Sequence, residues 1–229
     1  PMLIHICETK KESKKFQDEY KLSPVQYLDS IGALDNNVVG AHLIHVDDKD
    51  IQILKDKKVG ISHNVGANAK GAHGLSPAYK MYKEGLRIGL GSDGPMSGNT
   101  IDIITQLGLV AKFHKLFNDD RTIFTADEIL EMATLGGARA LNLDDKIGSI
   151  EIGKKADLVL VETESINMQP IYDYYSVLVY SANPSNVSMV MVDGKIIVKD
   201  KELVNIDYKA MAEEMKALRD DIKLAAKNL

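Results

Sequence analysis

Four short apolar runs recur along the first part of the chain, and each is followed by a stretch with helical signals. They lie at residues 2–7 (MLIHIC), 37–44 (NVVGAHLI), 58–62 (KVGIS) and 86–91 (LRIGLG). Each is nearly continuously apolar rather than alternating, which is the pattern of a strand buried on both faces of a parallel sheet. Between them lie predicted helices. Ser23-Pro24 supplies an N-cap and a first-turn proline for a helix over 25–31. Residues 47–56 form a second, with Ile51, Ile53 and Leu54 as its apolar side, and Ser76-Pro77 opens a third that Glu84-Gly85 closes. A long apolar helix over 101–116 follows the fourth run. Strand–helix alternation of this kind implies a parallel sheet with right-handed crossovers. Four units do not close an eightfold barrel, which takes roughly 250 residues. An open doubly wound sheet and one half of a barrel both fit.

Beyond residue 125 the grammar changes. TADE at 125–128 is a capping-box variant that opens a helix running to about Leu141. Residues 147–150, 156–161, 187–192 and 195–198 then read as short strands, with a hairpin turn at Val192-Asp193-Gly194-Lys195. A charged, amphipathic helix over 208–229 ends the chain. The expected division is an α/β part at 1–146, a small β layer at 147–200 and the terminal helix at 201–229. A net charge of -5 argues against a nucleic-acid or anionic-membrane surface. No run of ~18 apolar residues is present, so no membrane span is expected. The single cysteine, Cys7, leaves no internal disulfide and fits a reducing cytoplasm.

The chemistry-bearing residues fall at strand ends. Residues 88–97 (IGLGSDGPMS) place Asp93 at the C-terminal mouth of the fourth strand, where chemistry collects in parallel α/β folds. Asp93 either caps the helix that follows or holds a metal and takes a proton from the water it activates. His5 and Glu8 end the first strand, as a backbone-bonded histidine beside a solvated acid or as members of one site. His42 and His45 end the second; three positions apart, they face opposite sides under strict alternation, and His45 reads as a core histidine. His63-Asn64 ends the third strand. Asn68 and Lys70 follow in a small-residue loop that either binds a ligand or crosses the open end of the sheet. His73 and His114 carry no pattern and read as structural or exposed. Ser97 and Asn99 either contact a substrate or cap the helix beginning near Thr100. A catalytic zinc site takes three protein ligands plus water. His5 and Asp93 supply two, and no His-x-His pair occurs in the chain.

Taken in order, HICET (5–9), AHLIH (41–45), SHN (62–64), LGSDG (90–94) and SGN (97–99) resemble the amidohydrolase superfamily. The group in question holds S-adenosylhomocysteine/methylthioadenosine deaminases, triazine chlorohydrolases and guanine deaminase. ATLGGARAL (133–141) and IGSIEIGKKADLVLV (147–161) are similar to its C-terminal signature. The resemblance implies the C-terminal half of a (β/α)8 TIM-type barrel, strands five to eight, with part of a small β-sandwich and a C-terminal helix. It implies one divalent metal ion, zinc first and iron or manganese next, held by His5 and Asp93. Glu8 matches the acid that protonates the heterocycle, and His42 the histidine that polarises the attacked carbon or holds the hydroxide. Asp93 also shuttles protons, and Ser97, Asn99 and Asn68 are placed at the substrate. The implied reaction is hydrolytic deamination or dechlorination of a small aminated N-heterocycle. Three departures stand out. The group carries a His-x-His pair on strand one, and this chain holds nothing of strands one to four. HNVGAN (63–68) replaces HNP-x-SN, and LGSDG replaces LGTDG. The alternative is an inactive structural or oligomerisation module. On that alternative, strand edges left by the missing N-terminal half are covered by another chain; a homo-oligomer is expected.

Overall fold

The strand ends that matter to the site are set by a parallel sheet, seen in a computed structural model that describes residues 1–227. The last two residues of the expected terminal helix, Asn228 and Leu229, lie outside the described residues. The chain divides into two compact units: residues 1–155 with 163–184, and residues 156–162 with 185–229.

In the first unit, β1 (Met2–Ile6) leads through α1 (Lys10–Tyr20) and α2 (Pro24–Ser30) to β2 (Val38–His42). Then come α3 (Asp48–Asp56), β3 (Gly60–His63), α4 (Val65–Lys70), α5 (Ala78–Lys83) and β4 (Arg87–Leu90). The four strands are parallel in the order β1-β2-β3-β4. His5 stands opposite Ala41, Ile6 opposite His42, and Ile61 opposite Ile88. The first two strands end before their apolar runs do. Cys7 (φ 54°), His42 (φ 74°) and Leu43 (φ 46°) adopt left-handed backbone, which breaks the extended ladder. After β4 follow α6 (Pro95–Gly98), α7 (Ile103–Asn118), α8 (Ala126–Glu131), a π-helical turn (Met132–Gly136) and α9 (Gly137–Leu141). The unit closes with α10 (Tyr174–Tyr180), packed on α7 and α8. Its core joins Ile6, Ile61 and Ile88 of the sheet to Leu54, Leu107 and Ile129 of the helices. At about 25 cal/mol per Å² of apolar surface buried, this cluster is the main stabilising term of the unit.

Several expectations need correction. Asn68 and Lys70, expected in a loop, lie in helix α4. Helix α1 was not expected, because KKESKKFQDEY lacks an apolar stripe and none of its residues is buried. It forms on local chemistry: Thr9 caps it by accepting from the Glu12 N–H at 3.1 Å. Helix α10 (YYSVLVY) was also missed; Asp173 caps it through the Ser176 N–H. The helix expected over 125–141 carries the π-helical turn, and there the chain lies directly on the sheet. A Cβ on Gly89 would stand 2.5 Å from Gly137 Cα, and one on Gly60 would stand 1.9 Å from the Ala140 carbonyl oxygen. Residues 147–150 form no strand: Gly148 turns at φ 94°, and Ile147 N–H donates back to Leu143 O.

In the second unit, β5 (Leu158–Val161), β6 (Val187–Val192), β7 (Lys195–Lys199) and β8 (Glu202–Leu203) form an antiparallel sheet in that order. Asp193 (φ 49°) and Gly194 (φ 77°) make the β6–β7 turn, the left-handed pair a tight hairpin favours. Helix α11 (Tyr208–Ala226) follows, capped by Asp207. Among the described residues no helix is long and apolar enough to cross a membrane.

Candidate functional site

Three strand ends of the first unit deliver side chains to one mouth. His5 lies in β1, His42 ends β2, and Asp93 follows β4. One ligand atom from each lies within 4.8 Å of the others. Parallel strands in register make this possible, since every C-terminal end opens on the same side of the sheet.

Local backbone aims each group. Leu43 N–H donates to Ile6 O, while Ile44 and His45 N–H both donate to Cys7 O, all at 3.0 Å. These bonds hold the left-handed turns at Cys7, His42 and Leu43 against their intrinsic cost of about 1–2 kcal/mol each. Asp93 is left-handed as well (φ 60°); its Oδ1 accepts from the Gly94 N–H at 2.7 Å, and its Oδ2 stands 3.9 Å from His42 Nε2. The carboxylate is thus pinned by one oxygen and offers the other.

His42 is 1% exposed. Its Nδ1 lies 2.7 Å from Asn68 Oδ1. Because that oxygen only accepts, Nδ1 carries the proton and Nε2 presents a bare lone pair. Nε2 is buried and has no hydrogen-bond partner among the described residues. A buried imidazole nitrogen left open beside a carboxylate and a second imidazole is a donor set that suits a divalent cation. His5 meets His42 edge to face, with ring centroids 4.8 Å apart.

Glu8 joins from the turn after β1. Its Oε2 stands 3.8 Å from His5 Nδ1 and 3.9 Å from His42 Nε2. Sequence reasoning missed the residue that holds this turn. Glu12 accepts from the Cys7 N–H at 3.1 Å and the Glu8 N–H at 2.8 Å. The signal was present, since Thr9-Lys10-Lys11-Glu12 has capping-box spacing. His73 was also missed: it lies 3.1 Å from Glu8 Oε1. No sequence signal points to it, because the contact spans distant parts of the chain.

Other candidates fall elsewhere. Asn68 is buried, with its oxygen on His42 and its Nδ2 without a hydrogen-bond partner. Ser97 and Asn99 are exposed; Ser97 is in α6, and Asn99 (φ 64°) ends that helix by donating its N–H to Pro95 O. His63 turns away from the mouth, its Nε2 lying 3.0 Å from Nε2 of His114 on α7. Burial pushes His63 well below the usual imidazole range, and holds His114 at about 4. His45 is lowered by partial burial.

Comparison with known proteins bears on the family and the fold. A 5-methylthioadenosine/S-adenosylhomocysteine deaminase of Thermoanaerobacter pseudethanolicus is 41% identical over 204 residues, covering 89% of this chain and 47% of the relative. An adenosine deaminase structure from Xanthomonas campestris with bound zinc superposes with a TM-score of 0.94 at 32% identity, over 98% of this chain and 51% of that one. A zinc-complexed atrazine chlorohydrolase from Arthrobacter aurescens, at 24% identity and a TM-score of 0.88 over 94% of this chain and 48% of its own, shares the fold. The chain spans about half the length of the curated relatives it matches. Residues 1–197 match the amidohydrolase family, and the chain belongs to it.

Proposed function

We propose that this chain supplies the water-activating half of a hydrolytic deaminase site for an aminated N-heterocycle. The observation that carries the reading is the convergence of His5, His42 and Asp93 within 4.8 Å, with the buried His42 Nε2 left open. On this reading β1 to β4 are strands five to eight of a (β/α)8 barrel, and the second unit is part of a β-sandwich. Strands one to four, with further donor groups, come from an N-terminal half outside this chain.

His5 and Asp93 would hold a divalent cation, zinc by analogy with the Xanthomonas structure. The same nitrogen and oxygen donors also suit iron or manganese. When bound, the cation supplies Lewis-acid activation of a water molecule. The chain's own groups do the rest. Asp93 Oδ2 takes up the proton released as water attacks. Glu8 Oε2 delivers a proton to a ring nitrogen, which lets the ring accept the incoming electrons. His42 Nε2, fixed in orientation by Asn68 with its lone pair toward the site, would hold the attacking water or hydroxide by accepting its hydrogen bond. Ser97 and Asn99, both exposed, would contact substrate from the open side, and Asn68 would act through His42. The proton held on Asp93 passes to the amino group, which leaves as ammonia, and the proton of the new hydroxyl restores the Glu8 carboxyl; in a dechlorinating variant chloride leaves without needing that proton. A 5′-substituted adenosine is the favoured substrate, because the relative named above acts on 5-methylthioadenosine and S-adenosylhomocysteine.

A second reading takes this chain alone as a structural half that associates with another polypeptide. It is favoured by β1, an outer strand whose Met2 is 44% and Leu3 68% exposed. The deaminase reading is tested by joining the chain to the upstream half of its reading frame and loading it with zinc, manganese or iron. Ammonia release from 5-methylthioadenosine, S-adenosylhomocysteine, guanine or an aminotriazine supports it. No release from any of these with any of the metals overturns it.

A further inference from the structure

Three imidazoles touch the Glu8 carboxyl group, and they divide its two oxygens between them. Oε2 faces His5 Nδ1 at 3.8 Å and His42 Nε2 at 3.9 Å. Oε1 faces His73 Nδ1 at 3.1 Å, the shortest of the three contacts. The His73 Nδ1 atom is buried and makes no aligned hydrogen bond in this geometry.

The loop that carries His73 is shaped to place it there. Ala72 takes left-handed backbone (φ 53°) and Gly74 takes φ 120°, so the chain doubles back around the imidazole. The ring lies against Gly71: a Cβ at that position would stand 2.7 Å from His73 Nε2 and 2.8 Å from Cε1. The His73 N–H donates to Asn68 O at 3.0 Å. Asn68 is the residue whose side chain holds His42. One short segment, residues 68–73, therefore holds the His42 ring at one end and meets the Glu8 carboxyl at the other.

We propose that His73 is a positioning residue for Glu8. Its Nδ1–H donates to Oε1 after a small side-chain rotation, and Oε2 is left as the oxygen that faces the His5–His42–Asp93 cluster. When Glu8 is a neutral acid, an occupied Oε1 is the carbonyl oxygen, so the transferable proton sits on Oε2, on the reacting side. The tautomer required of His73 is Nδ1–H, with Nε2 bare over Gly71. The proton-donor role of Glu8 rests on the deaminase reading; the pairing of His73 with Glu8 does not.

Two measurements test the proposal independently. In the protein labelled with 15N-histidine, long-range 1H–15N spectra report the tautomer of each neutral imidazole. The expected result is the Nδ1–H form at His73 in the native protein, reverting to the Nε2–H form in Glu8→Ala. An Nε2–H form in the native protein, or no response to Glu8→Ala, overturns the pairing whether or not the protein turns over any substrate. In the zinc-loaded protein joined to its upstream half, His73→Ala is expected to lower kcat on the order of 10- to 100-fold, as loss of an outer hydrogen-bond partner does, with KM nearly unchanged. His73→Asn, whose amide nitrogen can occupy the Nδ1 position, is expected to recover most of that loss. A loss confined to KM, or no rescue by asparagine, contradicts the proposal. Absence of activity in the native enzyme overturns the deaminase reading, and the spectra then decide the pairing.

Discussion

Histidines end three neighbouring strands in the first unit, and they meet two different fates. At β1 and β2, His5 and His42 open on a mouth that they share with Asp93. At β3, His63 is fully buried against His114, which also meets Phe124 edge to face at 4.9 Å. His42 and His63 share the residue type and are each the last residue of their strand. What differs is the covering element. Helix α7 lies over the end of β3 and supplies an imidazole that satisfies His63 Nε2. Among the described residues His42 Nε2 has no hydrogen-bond partner; Asn68 takes only the other nitrogen. His63 also leaves one nitrogen, Nδ1, without a hydrogen-bond partner, so an open nitrogen is not enough; a strand-end histidine is available for chemistry when that nitrogen stands beside carboxylates, as His42 Nε2 does at 3.9 Å from both Glu8 and Asp93.

The sharpest way to break this comparison is at Asp93. Asn tolerates left-handed backbone, so Asp93→Asn removes the charge and keeps the turn. In the assembled, metal-loaded protein it is expected to lower kcat/KM about a thousandfold or more, with the denaturation midpoint nearly unchanged.

The buried pair should show the opposite behaviour, in stability rather than activity. His114 is held at about 4 against an ordinary 6.5, chiefly by burial. Its folded value lies below its unfolded one, so its contribution is present in full above pH 6.5 and is lost as pH falls toward 4. Across that window the loss is roughly 3 kcal/mol. Urea denaturation of native protein and His114→Leu at pH 7 and pH 4.5 checks this, with a flatter pH response expected in the variant.

A smaller effect sharpens the role of the held nitrogen. Asn68→Ala frees the His42 ring and is expected to reduce kcat/KM about 10- to 100-fold. Asn68→Asp keeps an acceptor on Nδ1 and should restore part of that loss. Smallest of all, Thr9→Ala removes the α1 cap and should cost about 1 kcal/mol of stability, read from the same urea curves.

Much of this was legible from the amino-acid order, and the exceptions have a common physical cause. The four strands announce themselves because a strand buried on both faces must be apolar throughout, as in NVVGAHLI. Glu8, His42 and Asp93 stand out because they interrupt or end such runs. Helix α1 does not, because it buries no residue fully and is held by its Thr9 cap and by Phe16 and Tyr20 packing on Tyr27, not by a long apolar stripe. The turn at 147–150 was mistaken for a strand because Ile147 and Ile150 mimic one, while Gly148 at φ 94° decides otherwise. The partners of the site, Asn68 on His42, His114 on His63 and His73 on Glu8, are 26, 51 and 65 positions away in the chain. Such pairings depend on how loops and helices cross the sheet, and no local pattern encodes them.

The central claim is most directly tested by zinc affinity, measured by competition with a chelator of known strength. Native protein, Asp93→Asn and His63→Leu are compared at one pH. The account predicts that Asp93→Asn weakens binding roughly a hundredfold or more while His63→Leu binds as the native protein does. Equal affinity in native protein and Asp93→Asn, or a loss confined to His63→Leu, would contradict it.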